Sequence, residues 1–205
     1  GPATDPLDEN LVLNGTVSFF DVTFDHPMDP ATFQTEDVQR LIGPAGLIGP
    51  RPQDTFATGP IRTNIPDGTS SLVWPLNIAR SAIIHDLNFQ LDITHPNLSD
   101  LTVRLTSPDP DGAGPLTPIT VTLVSGVGGS GDNFIHTILD DEQPVAINSG
   151  VAPALAPFAG RYRPQNSLAA FDGRNIQGVW TLEVVDGVAG NLGRLEDWSL
   201  SLDSL

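Results

Sequence analysis

The chain of 205 residues has no cysteine and no lysine, and only one tyrosine and one methionine. The lack of cysteine excludes disulfides, thiolate metal sites and thiol nucleophiles. A secreted protein without disulfides suits a bacterium better than an animal. All nine basic residues are arginine, set against 25 acids, so the formal net charge is −16. Such a surface repels phosphate backbones and anionic lipid, which excludes nucleic acid as a partner. It attracts cations or a basic protein face. No apolar run approaches the roughly 20 residues of a membrane-spanning helix, so no membrane insertion is expected. The chain begins Gly1-Pro2 without an initiator methionine. That pair resembles the residue of a cleaved tag, and the chain is expected to be an excised piece of a longer protein.

What the chain has in quantity is glycine (20), proline (19) and aspartate. Glycine and proline at this density require many turns and oppose long helices. Hydrophobic residues at 39% still suffice for a core. Aspartate is a loop residue, disfavoured inside helices, so most of the charge belongs in turns.

Period-two alternation is the dominant pattern. Ile83, His85, Leu87, Phe89, Leu91 and Ile93 alternate with polar or outward residues, as do Leu101, Val103 and Leu105. Val121 and Leu123, then Trp180, Leu182 and Val184, then Trp198, Leu200 and Leu202 repeat it. Leu11–Phe24 reads as one or two further strands. Turn signals such as Ser107-Pro108-Asp109, Asp172-Gly173 and Asp186-Gly187 separate the runs. Short strands with regular turns and no amphipathic helix predict an all-β sandwich or barrel. The last strand, ending at Leu202, is expected to pair inside a sheet.

The stretch Gly128-Gly129-Ser130-Gly131-Asp132-Asn133 is followed by Asp140-Asp141-Glu142. Read as one loop, it offers hard oxygen ligands on a glycine-rich turn, as calcium requires. Asp132, Asp140 and Asp141 are the leading candidate ligands, with Asp100 and Asp186 as outer ones. The alternative is that these carboxylates cap turns and accept backbone N–H bonds. Asp109-Pro110-Asp111-Gly112 lacks the third ligand and the twelfth-position glutamate of a calcium loop.

Catalytic patterns are missing. Gly128-Gly129-Ser130-Gly131-Asp132 has aspartate where a nucleophile elbow needs glycine. The four histidines, His26, His85, His95 and His136, show no zinc spacing. The phase of His85 suggests a core or sheet-edge residue, and His95, before Pro96, suits a turn hydrogen bond. Trp74 and Tyr162 are the aromatics to watch for carbohydrate binding, since Trp180 and Trp198 fall on apolar phases.

From about residue 53 the motifs resemble, in order, the P domain (P/Homo B domain) that follows the catalytic domain in subtilisin-like proprotein convertases and related bacterial proteases. They are Ile65-Pro66-Asp67-Gly68; Leu91-Asp92-Ile93-Thr94-His95; Asp100-Leu101-Thr102-Val103; Leu105-Thr106-Ser107-Pro108; Gly129 to Phe134; Ala156-Pro157-Phe158-Ala159-Gly160; Gly178-Val179-Trp180-Thr181-Leu182; and Gly190 through Trp198. Ser99 stands where the family usually has glycine, and residues 109–115 lengthen a hairpin. The resemblance implies a jelly-roll β-sandwich over 53–205. It also implies a non-catalytic role in stabilising or presenting a neighbouring protease domain of a secreted or cell-surface protein, often with calcium, in a monomeric module. A carbohydrate- or protein-binding jelly-roll module of a surface adhesin is the rival. Residues 1–52 resemble part of a bacterial Ig-like domain, through Val22 to Pro30 and Gly43 to Gly46, and are expected to form a short β-rich extension.

Overall fold

The computed structural model describes residues 41–43, 46–48, 54–68, 70–109, 117–150 and 155–204. The chain divides into two compact units, Gly1–Arg51 and Pro52–Leu205. In the first, β1 (Leu41–Gly43) and β2 (Gly46–Ile48) form an antiparallel hairpin. The strand expected over Leu11–Phe24, and most of the Ig-like segment, lie outside the described residues, as do 110–116 of the lengthened hairpin.

The second unit is a sandwich of two sheets. Its strands are β3 (Asp54–Ala57), β4 (Thr63–Asn64), β5 (Ser71–Ile78), β6 (Ile84–Thr94), β7 (Leu101–Thr106), β8 (Thr120–Ser125), β9 (Phe134–Leu139), β10 (Phe158–Tyr162), β11 (Gly178–Asp186) and β12 (Arg194–Ser204). One sheet runs β10-β9-β6-β12-β3, with β4 also on β12, and the other runs β5-β11-β7-β8. Successive strands cross repeatedly between the sheets, as in a jelly roll. Short 3-10 turns at Leu98–Asp100 and Leu168–Phe171 are the helical elements among the described residues.

The alternating residues of β6, β7, β11 and β12 meet between the sheets. Phe89, Leu91, Ile93, Trp198 and Leu200 face Leu101, Val103, Leu105, Trp180, Leu182 and Val184, and all are buried. Burial contributes about 25 cal/mol per Å² of apolar surface. The few aromatics are spent here. Phe89 and Trp198 lie 5.9 Å apart, and Phe171 meets Trp180 edge-on at 5.1 Å. Trp180 Nε1 donates to the Ile176 carbonyl at 2.9 Å.

The start of β6 departs from the sequence expectation. Asp203 pairs with Asp86 but Ser204 pairs with Ile84, so His85 is an extra residue on β6. A bulge of this kind shifts the phase of everything before it. Ile84 is therefore buried while Ile83 and His85 are exposed, and His85 is not a core histidine.

β12 lies between β6 and β3, in the interior of its sheet. Deleting residues 195–205 removes its pairing to both neighbours and four core side chains, Leu195, Trp198, Leu200 and Leu202. The expected result is loss of the cooperative thermal transition and of the near-ultraviolet circular dichroism. A shortened protein that still melts cooperatively would contradict this.

Candidate functional site

One end of the sandwich gathers loops 95–100, 126–133 and 186–193. At its centre stand His95 and Asp186, both fully buried, with Nε2 3.1 Å from Oδ2. β6 ends at Thr94, which delivers His95 inward, and β11 ends on Asp186 itself. The backbone N–H of Asn97 donates to His95 Nδ1 at 3.1 Å, so that nitrogen is an acceptor. Nε2 therefore bears the proton and donates to Asp186. The second oxygen of Asp186 accepts from the Val188 N–H at 3.2 Å. Both ring nitrogens are thus committed inside the protein, which leaves none to act on a substrate.

The neighbouring groups extend this latch. Asn133 holds a left-handed φ of 63°, tolerable for asparagine, and its side-chain oxygen accepts from the His95 N–H at 3.0 Å. Its own N–H donates to the His95 carbonyl at 3.1 Å. Asp100 is buried, accepts from Asn191 Nδ2 at 2.8 Å, and receives the Gly187 N–H on its carbonyl at 2.8 Å. Asp67 accepts the Gly190 N–H with both oxygens at 3.0 Å. Gly193 is obligatory on steric grounds, because a Cβ there would lie 2.2 Å from His95 Cδ2. A cleft of about 390 Å³ beside it is lined by Asn64, Ile65, Thr94, Leu192, Gly193 and Arg194. Its one charged group, Arg194, is engaged with Glu196 at 2.6 Å.

The five candidate calcium ligands do not converge. Asp132 precedes β9 and Asp140 follows it, so the strand holds them on the order of 20 Å apart. What reads as one loop is two turns flanking a strand. Asp132 is exposed and takes the Asn133 Nδ2 at 3.2 Å. Asp140 is buried and accepts from Glu142 N at 3.0 Å, Gln143 Nε2 at 2.8 Å and Arg161 Nη1 at 3.1 Å. Burial pushes its carboxyl up, but the hydrogen bonds from Gln143, Glu142 and Arg161 outweigh this and hold it below the ordinary value. Asp141 caps the Leu168–Phe171 turn, accepting from Leu168 N at 3.1 Å, Ala169 N at 2.9 Å and Ser167 Oγ at 2.5 Å. Asp100 and Asp186 both belong to the latch, where the donors just named occupy them.

Among the described residues no three His, Asp or Glu side chains are arranged to hold a metal ion. The five candidate carboxylates therefore do not form a single ligand cluster. The glycines serve packing instead: a Cβ on Gly131 would lie 2.5 Å from that of Ala156. Their carbonyls are also occupied, Gly131 by Leu98 N at 2.9 Å and Gly129 by Ser99 N at 3.1 Å. The latch itself was not foreseen, although the turn hydrogen bond expected of His95 is present.

Trp74 is half-buried against the core and Tyr162 is buried, so neither offers the open platform that carbohydrate stacking uses. The stretch Asp109-Pro110-Asp111-Gly112 lies mostly outside the described residues.

Residues 157–202 match the model of the Proprotein convertase P-domain. This stretch contains β10, β11 and most of β12, with Asp186 and Gly193 of the latch. No curated protein matches the chain. Among solved structures, the Aeromonas sobria serine protease in complex with the chaperone is similar at 19% identity and a TM-score of 0.43, over 74% of this chain and 26% of that one. The serine protease of Aeromonas sobria is similar at 20% identity and a TM-score of 0.42, over 74% and 26%. This chain spans about a quarter of the length of either.

Because every candidate carboxylate is occupied by protein donors, thermal melting should give the same Tm in millimolar calcium and in excess chelator. A rise in Tm that saturates with calcium would restore the metal, since an ion at 100 times its Kd adds about 2.7 kcal/mol.

Proposed function

We propose that this P-domain module is a non-catalytic accessory domain that braces or presents a neighbouring domain, a serine protease, in a secreted or surface protein of a bacterium. The match over residues 157–202 carries the reading. The buried histidine–aspartate pair supports it, because that end of the sandwich is built to hold loops fixed and not to receive a substrate. The rigidity comes from the protein's own hydrogen bonds, with Asp186, Asp100 and Asp67 each holding the 186–193 loop.

A rigid module stabilises its neighbour by mass action within one chain. Any contact made only to the folded protease shifts that domain's unfolding equilibrium. The requirement is a preorganised surface, which the latch provides at no entropic cost at the moment of docking.

The open reading frame that encodes this chain supplies the test. It would be expressed with and without residues 54–204, and peptide hydrolysis followed during incubation at raised temperature. The protein lacking the module should lose activity several-fold faster, and the module alone should hydrolyse nothing. Equal inactivation half-lives, or turnover by the isolated module, would overturn the reading.

A further inference from the structure

The chain contains the aspartate–glycine pairs Asp67-Gly68, Asp111-Gly112, Asp172-Gly173 and Asp186-Gly187. In such a pair the side-chain carboxyl and the next backbone nitrogen can close a five-membered ring. Glycine permits it, because no Cβ crowds the nitrogen or restricts the backbone rotation that closure needs. The fold then decides which pair reacts, by tying the glycine N–H or leaving it free, and by filling or leaving open the space around it.

The pairs among the described residues differ on both counts. The Gly187 N–H donates to the Asp100 carbonyl at 2.8 Å, and Asp186 is fully buried. The Gly173 N–H donates to the Ile84 carbonyl at 2.9 Å, so it too is tied, although Asp172 is exposed. The Gly68 N–H has no acceptor among the described residues. A Cβ added at Gly68 would meet nothing within 4 Å, and the residue stands at φ 91°. Asp67 is exposed.

Asp67 also acts at a distance. Both of its carboxylate oxygens accept the Gly190 N–H at 3.0 Å, across 123 residues of sequence. Those bonds engage the oxygens of Asp67 and leave the Gly68 nitrogen free. Asp67 is one of the three aspartates that hold the 186–193 loop, beside Asp100 and Asp186.

We infer that Asp67-Gly68 is a site of spontaneous isoaspartate formation, and that the conversion releases Gly190 from its clamp. The Gly68 nitrogen attacks Cγ of the neutral Asp67 carboxyl. A C–N bond forms, the C–OH bond breaks, and the hydroxyl leaves as water with the amide proton. Water then opens the cyclic imide. Opening at the former backbone carbonyl routes the main chain through Cβ and Cγ and leaves the old carbonyl carbon as a carboxylate on Cα. The two steps lose and regain one water, so mass is unchanged and no oxidant or reductant enters. The main chain is one carbon longer and the carboxylate sits one carbon closer to it, which removes the acceptor from Gly190. Asp100 and Asp186 remain to hold the loop. The product belongs to the substrate class of isoaspartyl methyltransferases. The inference does not rest on the accessory role and fails separately from it, because it is read on the chain alone.

The test holds the whole 205-residue chain at physiological temperature and neutral pH for weeks. An endoproteinase that cuts before aspartate, but not before isoaspartate, reads each pair separately, Asp111-Gly112 included. Cleavage before residue 67 should be lost at least roughly fivefold faster than cleavage before 172 or 186, the factor by which one backbone hydrogen bond suppresses the open state. Methyl transfer from S-adenosylmethionine by an isoaspartyl methyltransferase should map to the peptide that carries residue 67. D67E keeps a carboxylate but cannot close the five-membered ring, so methyl acceptance in that peptide should vanish. In the aged fraction that carries isoaspartate, the Gly190 amide should exchange faster with deuterium while Gly187 stays protected. Loss at 67 no faster than at 172, methyl acceptance that persists in D67E, or unchanged Gly190 exchange in the converted fraction would overturn the inference.

Discussion

The loop end of this protein depends on one hydrogen bond between two buried side chains, His95 and Asp186. Neither reaches solvent, so neither can trade its partner for water. Removing Asp186 would strand the Nε2–H of His95 and the N–H of Val188 together. Asn133, Asp100 and Asp67 repeat the device around it, each using a short polar side chain to fix a backbone segment. Loops normally contribute mobility to a sandwich. Here the acids that could have made them mobile and ion-seeking serve as acceptors for backbone and amide N–H groups.

This changes the meaning of the acidic composition. Aspartate in turns does follow from propensity, and Asp141 and Asp186 bear that out by accepting N–H groups at turns. Asp132 and Asp140 do not gather in one loop, because Phe134–Leu139 is a strand that separates them. On the larger sheet Asp92 lies opposite Asp197. Like charges in opposite positions cost a sheet stability.

The sandwich was legible because β7, β11 and β12 keep strict alternation, and Leu101, Val103, Leu105, Trp180, Leu182 and Val184 are all buried as their phase requires. β9 was not legible, because the bulge at Ile135–His136 breaks its period and its six residues pass for part of a loop. His85 was misread for the same reason, one bulge having flipped its phase. The pair at the centre of the latch is separated by 91 residues and has no local signature. Gly193 could be found only from the ring packed against it. The motifs that resemble a P domain located the sandwich strands, but not the contacts that hold its loops.

The most direct test of the latch is the protonation pattern of one ring. Nitrogen-15 NMR of His95, with hydrogen exchange at Asn97, Gly187 and Val188, reads it in the intact protein. The account predicts a neutral imidazole with the proton on Nε2, and those three amides exchanging as slowly as the core strands. A proton on Nδ1, or amides that exchange at the rate of an open loop, would contradict it.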